Sequence, residues 1–317
     1  MAEPAELAGF FNVYKPAGMR STQVVSAVRR MVGTRQVGHC GTLDPLAEGV
    51  LPIAVGRATK LADYVHDGPK TYFACVLFGV ATGSDDLEGA PDGDVHPSPE
   101  LAAVKSGLAT FVGTIQQRPP AMSAVHVDGE RAYRRARRGE SVEVPLRSVT
   151  IHEAFVVSHG TLPVRVDTSR LHFGDHPIAT DALIAGIFIR CSSGTYIRSL
   201  ARDLGERVGT RATMFGLVRL AAGPFQYADA IEIWQLEIAA RDGYLDALIF
   251  PPDYAVEHFP GAVLGAQETA ALGFGQRPSA PAGMVGAFRV YDTGGQFVGL
   301  ADAKDGTWRT RTLFLAT

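Results

Sequence analysis

Two runs in this chain are apolar on both sides of an extended backbone. Thr71 to Gly79 and Ala182 to Cys191 carry aliphatic, aromatic and β-branched side chains at nearly every position. Such a strand can leave neither face in water, so each run belongs in the middle of a covered sheet. Other segments supply neighbours. Phe10 to Tyr14 reads as a strand stopped by the turn residues Lys15-Pro16-Ala17-Gly18. Val50 to Val55, Ile151 to Val157 and Leu217 to Leu220 read as further strands. Ser21 or Thr22 is placed to cap a helix running to Val32, with Val24, Val25 and Val28 on one side and Gly33 as its stop. Ala58 to Val65 and Leu101 to Phe111 read as helices. Thr195 to Val208 is the clearest helix: Ile197, Leu200, Ala201, Leu204 and Val208 follow helical spacing, and Gly209 ends it.

With 317 residues the chain suits one large domain, or one large and one small. Pro251-Pro252 through Pro260 marks a boundary, and the runs Val285 to Tyr291, Phe297 to Ala301 and Thr307 to Leu315 then predict a small β-rich unit. Residues 81–99, acidic and rich in Gly and Pro, read as a surface loop. Gln116 to Ala124 must be extended around Pro119-Pro120. Residues 158–180 read as an irregular insertion.

Composition narrows the function. The chain is 46% hydrophobic and 20% charged, an ordinary globular balance. No apolar run reaches the roughly 18 residues that a membrane helix needs. Residues 1–9, read as a disordered N-terminus, hold two Glu and no Lys or Arg, unlike a signal peptide, so a cytoplasmic protein is expected. Three scattered cysteines form no Cys-x-x-Cys pair and no zinc-like cluster, so no metal is expected. The net charge of −3 argues mildly against a nucleic-acid partner. Against that, residues 131–138 hold five arginines in eight positions, including Arg134 and Arg137. By composition such a run is as readily a solvated helix face as an RNA grip.

The run Val37-Gly38-His39-Cys40-Gly41-Thr42-Leu43-Asp44-Pro45-Leu46-Ala47-Glu48-Gly49 contains three glycines and one proline and must be a shaped loop. Asp44, between an apolar residue and a proline, has few ways to swing aside. Taken alone, a turn aspartate accepting backbone N–H bonds is the commoner reading.

That loop, with Val50-Leu51 after it, resembles the signature loop of the TruB family of tRNA pseudouridine-55 synthases. Four more segments resemble the family in the same order: Asn12 to Met19, Gly56-Arg57-Ala58-Thr59-Lys60, Lys70-Thr71-Tyr72, and Arg190 to Arg198. The likeness covers about residues 10–250 and, more weakly, the tail. It implies an α+β fold: a pseudouridine-synthase-type mixed, largely antiparallel sheet with flanking helices in residues 10–252, and a PUA-like β-barrel in 253–317. It implies that Asp44 is the catalytic carboxylate, that Arg198 pairs with it and keeps it ionised, and that Tyr72 stacks on the target base. His39 matches a histidine that fills space left by an extruded nucleotide, and Tyr196 and Leu217 match residues lining the base pocket. Lys15 and Lys60 are candidates for structural or phosphate contacts. Residues 114–145, with Arg134 and Arg137, resemble an RNA-gripping insertion. The chain departs from the family at Met122, where an aromatic is usual, and at His126, where a lysine is usual; both positions are expected to lie apart from the chemistry.

The resemblance implies isomerisation of uridine 55 in the T stem-loop of tRNA by a monomer, with no cofactor, metal, membrane or obligate protein partner. Two other readings differ in class: an RNA-binding or tRNA-folding protein with dispensable catalysis, and a guide-RNA-dependent relative. The presence of Asp44, Arg198 and Tyr72 together weighs against the first, and the lack of long basic tails against the second.

Overall fold

The computed structural model describes residues 7–120, 122–123, 126–127, 129–131, 134–135, 138, 140, 144–166, 171–173 and 180–314. Two sheets organise them. The larger has ten strands: β1 (Gly9–Lys15), β2 (Val37–His39), β3 (Glu48–Val55), β4 (Lys70–Phe78), β5 (Gly113–Gln117), β8 (Arg147–Val166), β9 (Leu171–Phe173), β10 (Thr180–Cys191), β11 (Ala212–Ala222) and β12 (Phe225–Gln226). A two-residue pair, β6 (His126–Val127) and β7 (Glu130–Arg131), stands apart. The main order is β1-β3-β11-β4-β10-β8-β5, antiparallel except where β11 runs parallel to β3. The two doubly apolar runs are β4 and β10. They lie side by side in the middle, from Ile184 opposite Leu77 to Cys191 opposite Lys70.

Strand alternation divides the apolar side chains between two cores. From β1 and β3, Phe11, Val13, Leu51 and Ile53 join Val24 and Val28 of α1 (Ser21–Val32) and Leu200 and Leu204 of α4 (Ile197–Arg207). Leu108 of α3 (Leu101–Ala109) and Leu236 of α5 (Ile233–Asp242) fill the same layer. The opposite side chains, Phe10, Val50 and Ala54, pack with Leu61 and Val65, the latter on α2 (Ala62–Asp67). Leu300 and Phe314 of the C-terminal unit close that second core. Each fully buried Leu, Ile or Phe contributes about 1.5–3 kcal/mol of transfer free energy, so the seam between the units is a true apolar contact.

The C-terminal unit is a separate sheet, β13-β14-β15-β16 (Gly261–Val263, Gly286–Tyr291, Phe297–Lys304, Thr307–Leu313), with α6 (Ala266–Gly273) and a core centred on Trp308. Among the described residues no helix is long and apolar enough to cross a membrane.

Several local expectations change. Within 158–180, read as an irregular insertion, the described residues 158–166, 171–173 and 180 are all strand. β8 continues to Val166, where β10 pairs with it from Thr180 opposite Val164 and β9 pairs with it from Phe173 opposite Val164, so these described residues extend the sheet. Exposed side chains on its outward face hid the strand from an apolar count. Neither Ser21 nor Thr22 caps α1; Arg20 holds that position, with its N–H donating to Gln23 Oε1 at 2.8 Å. Ser21 is buried and used elsewhere. The segment 81–99 is not all surface, because Thr82, Ser84 and Asp86 are buried. Residues 56–61 form a 3₁₀ turn before α2. β1 starts at Gly9, and Leu7 packs on the main core, whereas residues 1–6 lie outside the described residues.

Candidate active site

The loop between β2 and β3 is fixed by partners from three other segments. Ser21 Oγ donates to the Leu43 carbonyl at 2.8 Å and accepts the Leu43 N–H at 3.0 Å. On the other side of Asp44, the Pro45 carbonyl accepts from Gly18 N–H at 2.7 Å and from Lys15 Nζ at 3.3 Å. Arg219 of β11 donates through Nη2 to Gly41 O at 3.1 Å and through Nη1 to Thr42 O at 3.3 Å. Leu43 and Ala47 drive their side chains into the core. Gly49 closes the loop at φ +102, where a Cβ would collide with the Arg219 carbonyl oxygen, so only glycine fits. Asp44 therefore sits between pinned neighbours while its own carboxylate stays 36% exposed.

That carboxylate meets a guanidinium. Asp44 Oδ2 lies 3.0 Å from Arg198 Nη2, and Arg198 Nε lies 3.5 Å from Oδ2 of Asp86. Arg198 enters from α4, where Ile197 and Leu200 anchor the helix in the core. Its remaining N–H groups donate to the carbonyls of Ser84 and Met122, both at 3.2 Å. Asp86 is fixed in turn by the Ser84 hydroxyl and by Glu88 N–H at 3.0 Å. A buried guanidinium without anionic partners costs several kcal/mol. Two carboxylates offset that cost here, and the arginine is held in one orientation against Asp44.

Asp44 and Arg198 line a cleft of about 300 Å³, large enough for a small ligand. Tyr72, Tyr196, Leu217 and Met122 line it with Asp44 and Arg198. Burial pushes the Tyr72 phenol up to about 12, so it is protonated at neutral pH. Burial also pushes Tyr196 up. Gln117 fixes the Tyr196 backbone, accepting its N–H at 2.8 Å and donating to its carbonyl at 3.0 Å.

The other sequence candidates lie elsewhere. Lys15 is wholly buried; its ammonium donates to the carbonyls of Pro16, Met19 and Pro45, which makes it a strut of the loop. Lys60 sits at the seam with the C-terminal sheet and donates to Leu313 O at 3.2 Å. His39, on β2 opposite Ile53, is not among the residues lining the cleft; His66 is. Burial, then the Arg219 cation, push the His39 imidazole down, which keeps it neutral. Arg134 is exposed and away from the cleft lining. Arg137 lies outside the described residues.

The sequence patterns of known families fit this arrangement. That of the TruB family pseudouridylate synthase N-terminal domain matches residues 29–197, and those of two TruB C-terminal domains match 198–257 and 260–314. The tRNA pseudouridine synthase B of Synechococcus sp. (strain WH7803) is 42% identical over 308 residues, covering 94% of each chain. That of Thermobifida fusca (strain YX) is 40% identical over 309 residues, covering 96% of this chain and 98% of the relative. The chain belongs to the TruB family of pseudouridylate synthases. Its fold extends further: a Cbf5-Nop10-Gar1 complex contains a chain that superposes with a TM-score of 0.66 at 24% identity, over 97% of this chain and 85% of that one.

In and behind this TruB-family cleft, three residues were not singled out from the sequence. Asp86 stands in an acidic, Gly-rich stretch and looks like a solvated loop residue until the fold buries it. Arg219 did carry a signal, as a lone cation within the apolar run of β11. Lys70 was visible only as a neighbour of Tyr72. Met122, expected to lie apart from the chemistry, lines the cleft and bonds Arg198 through its carbonyl.

Proposed function

We propose that this chain converts uridine 55 in the T loop of tRNA to pseudouridine, with Asp44 as the catalytic carboxylate. The observation that carries the reading is the 3.0 Å contact between Asp44 and Arg198 inside a cleft that also holds Tyr72. The names of the bacterial relatives, tRNA pseudouridine synthase B, support tRNA as the substrate.

The reaction breaks the N1–C1′ bond, turns the uracil and joins C5 to C1′. A base stacked in an RNA helix is out of reach, so the uridine must leave its stack and enter the cleft. Tyr72 then stacks on it, with Leu217 and Tyr196 bounding the pocket. Asp44 acts in one of two ways: it attacks covalently, or it removes a C2′ proton to give a glycal. Both need an ionised carboxylate, and the adjacent guanidinium favours that form. The Tyr72 phenol, protonated at neutral pH, relays the proton released from C5 by passing on its own as it takes that one up. The arginine-bearing arm with Arg134 and Arg137, together with the C-terminal sheet, grips phosphates of the folded RNA.

The test is Asp44→Asn assayed on a T stem-loop by mapping pseudouridine. Product formation is expected to vanish while RNA binding persists. Turnover near the wild-type rate in this variant would refute the assignment.

A further inference from the structure

Two cations beside the cleft have no carboxylate partner in their described hydrogen bonds. Arg219 is 1% exposed, and it donates to the carbonyls of Val50 at 2.7 Å, Gly41 at 3.1 Å and Thr42 at 3.3 Å. Lys70 is 5% exposed, and its ammonium donates to the carbonyls of Val65 at 2.9 Å, His66 at 2.8 Å and Gly68 at 2.6 Å. Both line the cleft with Asp44 and Tyr72. They are also close together. A Cβ built on Gly41, at φ +115, would lie 3.9 Å from Arg219 Nη1 and 3.9 Å from Lys70 Cε. The bare glycine leaves that space open.

Carbonyl dipoles solvate a buried cation but do not cancel its charge. Holding two such cations together is unfavourable for folding, since apolar residues of similar volume would cost less. The uncancelled charge nonetheless lies in the wall of the cleft. Arg198 differs, because Asp44 and Asp86 neutralise it. The positive potential of this cleft therefore comes from its Arg219 and Lys70 side.

We infer that Arg219, backed by Lys70, stabilises the negative charge that develops on the uracil when its glycosidic bond breaks. The inference rests on the reading of this cleft as the place where a uridine is isomerised. As N1–C1′ breaks, the bonding pair leaves with the base, giving a uracil anion delocalised over N1, O2 and O4. Formation of the C5–C1′ bond returns a pair to C1′; C5 then loses its proton and N1 takes one up. A fixed cation in a site shielded from water lowers the energy of the charged stage without reorganising. The Arg219 cation also acts on the Tyr72 phenol, pulling it down against the larger effect of burial, so the base-stacking ring feels the same positive centre.

The experiment is single-turnover cleavage of the N1–C1′ bond in two T stem-loops, one with uridine and one with 5-fluorouridine at the target position, read as loss of the N1-linked nucleotide because C5 of the second substrate carries fluorine and no proton to lose. Fluorine acidifies N1 and stabilises the departing anion by itself. Arg219→Met is expected to slow the uridine substrate by about 10²–10³-fold, with Arg219→Lys slowed less. On the fluorinated substrate the Arg219→Met deficit should shrink at least about tenfold, a barrier difference of about 1.4 kcal/mol. Equal deficits on both substrates would overturn the inference and leave Arg219 a strut of the 41–42 loop. Should Arg219→Met fail to fold, Lys70→Met decides by the same criterion: a smaller deficit that shrinks on the fluorinated substrate supports the inference, and one that does not overturns it. Asp44→Asn is inert on both substrates if the cleft is the catalytic site, so activity there would refute the site itself and not this role of Arg219.

Discussion

The same chemistry appears in two regions of this protein with opposite consequences. In the cleft, Arg198 bridges Asp44 and Asp86, with the guanidinium 7% and Asp86 2% exposed. In the arginine-bearing arm, Arg138 bridges Glu130 and Glu140 at 2.7–2.8 Å, with shorter contacts but 51% exposure. By distance the arm wins. By energy it does not, because water screens the exposed charges and competes for their hydrogen bonds. Removing one partner in the cleft leaves an uncompensated charge where water cannot reach it. The cleft network sets geometry, whereas the Arg138 network stays open to water.

The strongest way to break this contrast is at Asp44. Asp44→Asn keeps the shape of the side chain and removes its charge. Activity should fall by about 10⁴-fold or more, measured as pseudouridine formed on a T stem-loop. Affinity for that RNA, measured by filter binding, should change little.

Asp86→Ala probes the hidden partner. It strands Arg198 beside a single, half-exposed carboxylate. Stability should drop by about 3–5 kcal/mol in urea unfolding. Activity should fall as well, even though Asp86 reaches the cleft only through Arg198. A fully stable and active Asp86→Ala protein would mean that the buried triad is not what orients the arginine.

Ser21→Ala tests the loop anchor by removing two hydrogen bonds to Leu43 while leaving every charge in place. A stability loss of about 1–3 kcal/mol is expected, because the Leu43 backbone groups stay buried without partners. The measurement is a thermal melt beside a rate on the same preparation.

The smallest effect on stability belongs to the arm. Glu130→Gln, which breaks a bidentate contact to Arg138, should leave the melting temperature unchanged. Arg134→Ala should also melt as wild type, yet weaken RNA binding several-fold and flatten its salt dependence by about one phosphate contact. A large loss of stability in either variant would erase the distinction between the two regions.

Much of the site was legible in the chain itself. Asp44 stands between Leu43 and Pro45, and the glycines at 41 and 49 take positive φ at the ends of the loop. The helix that brings Arg198 is plain from its apolar spacing, and β4 fixes Tyr72. Lys15 and His39 were legible as members of motifs, with a structural and a phosphate role both left open for Lys15. One is a buried strut, and the other is neutral and absent from the cleft lining. A motif records that a residue type is present, whereas burial decides whether it faces ligand or backbone.

What the sequence determined by itself is local: doubly apolar runs that must be central strands, glycines where no side chain fits, a carboxylate in a loop that cannot relax. Tertiary structure alone decided the company of that carboxylate. Ser21 reaches Leu43 from 22 residues away, Arg198 reaches the Ser84 carbonyl beside Asp86 from 114, and Arg219 reaches Gly41 from 178. Contacts over such separations leave no periodic trace, because they depend on strand order and on which face of each strand is covered. The low dielectric that makes Asp86, Arg219 and Lys70 matter exists only once that covering is complete.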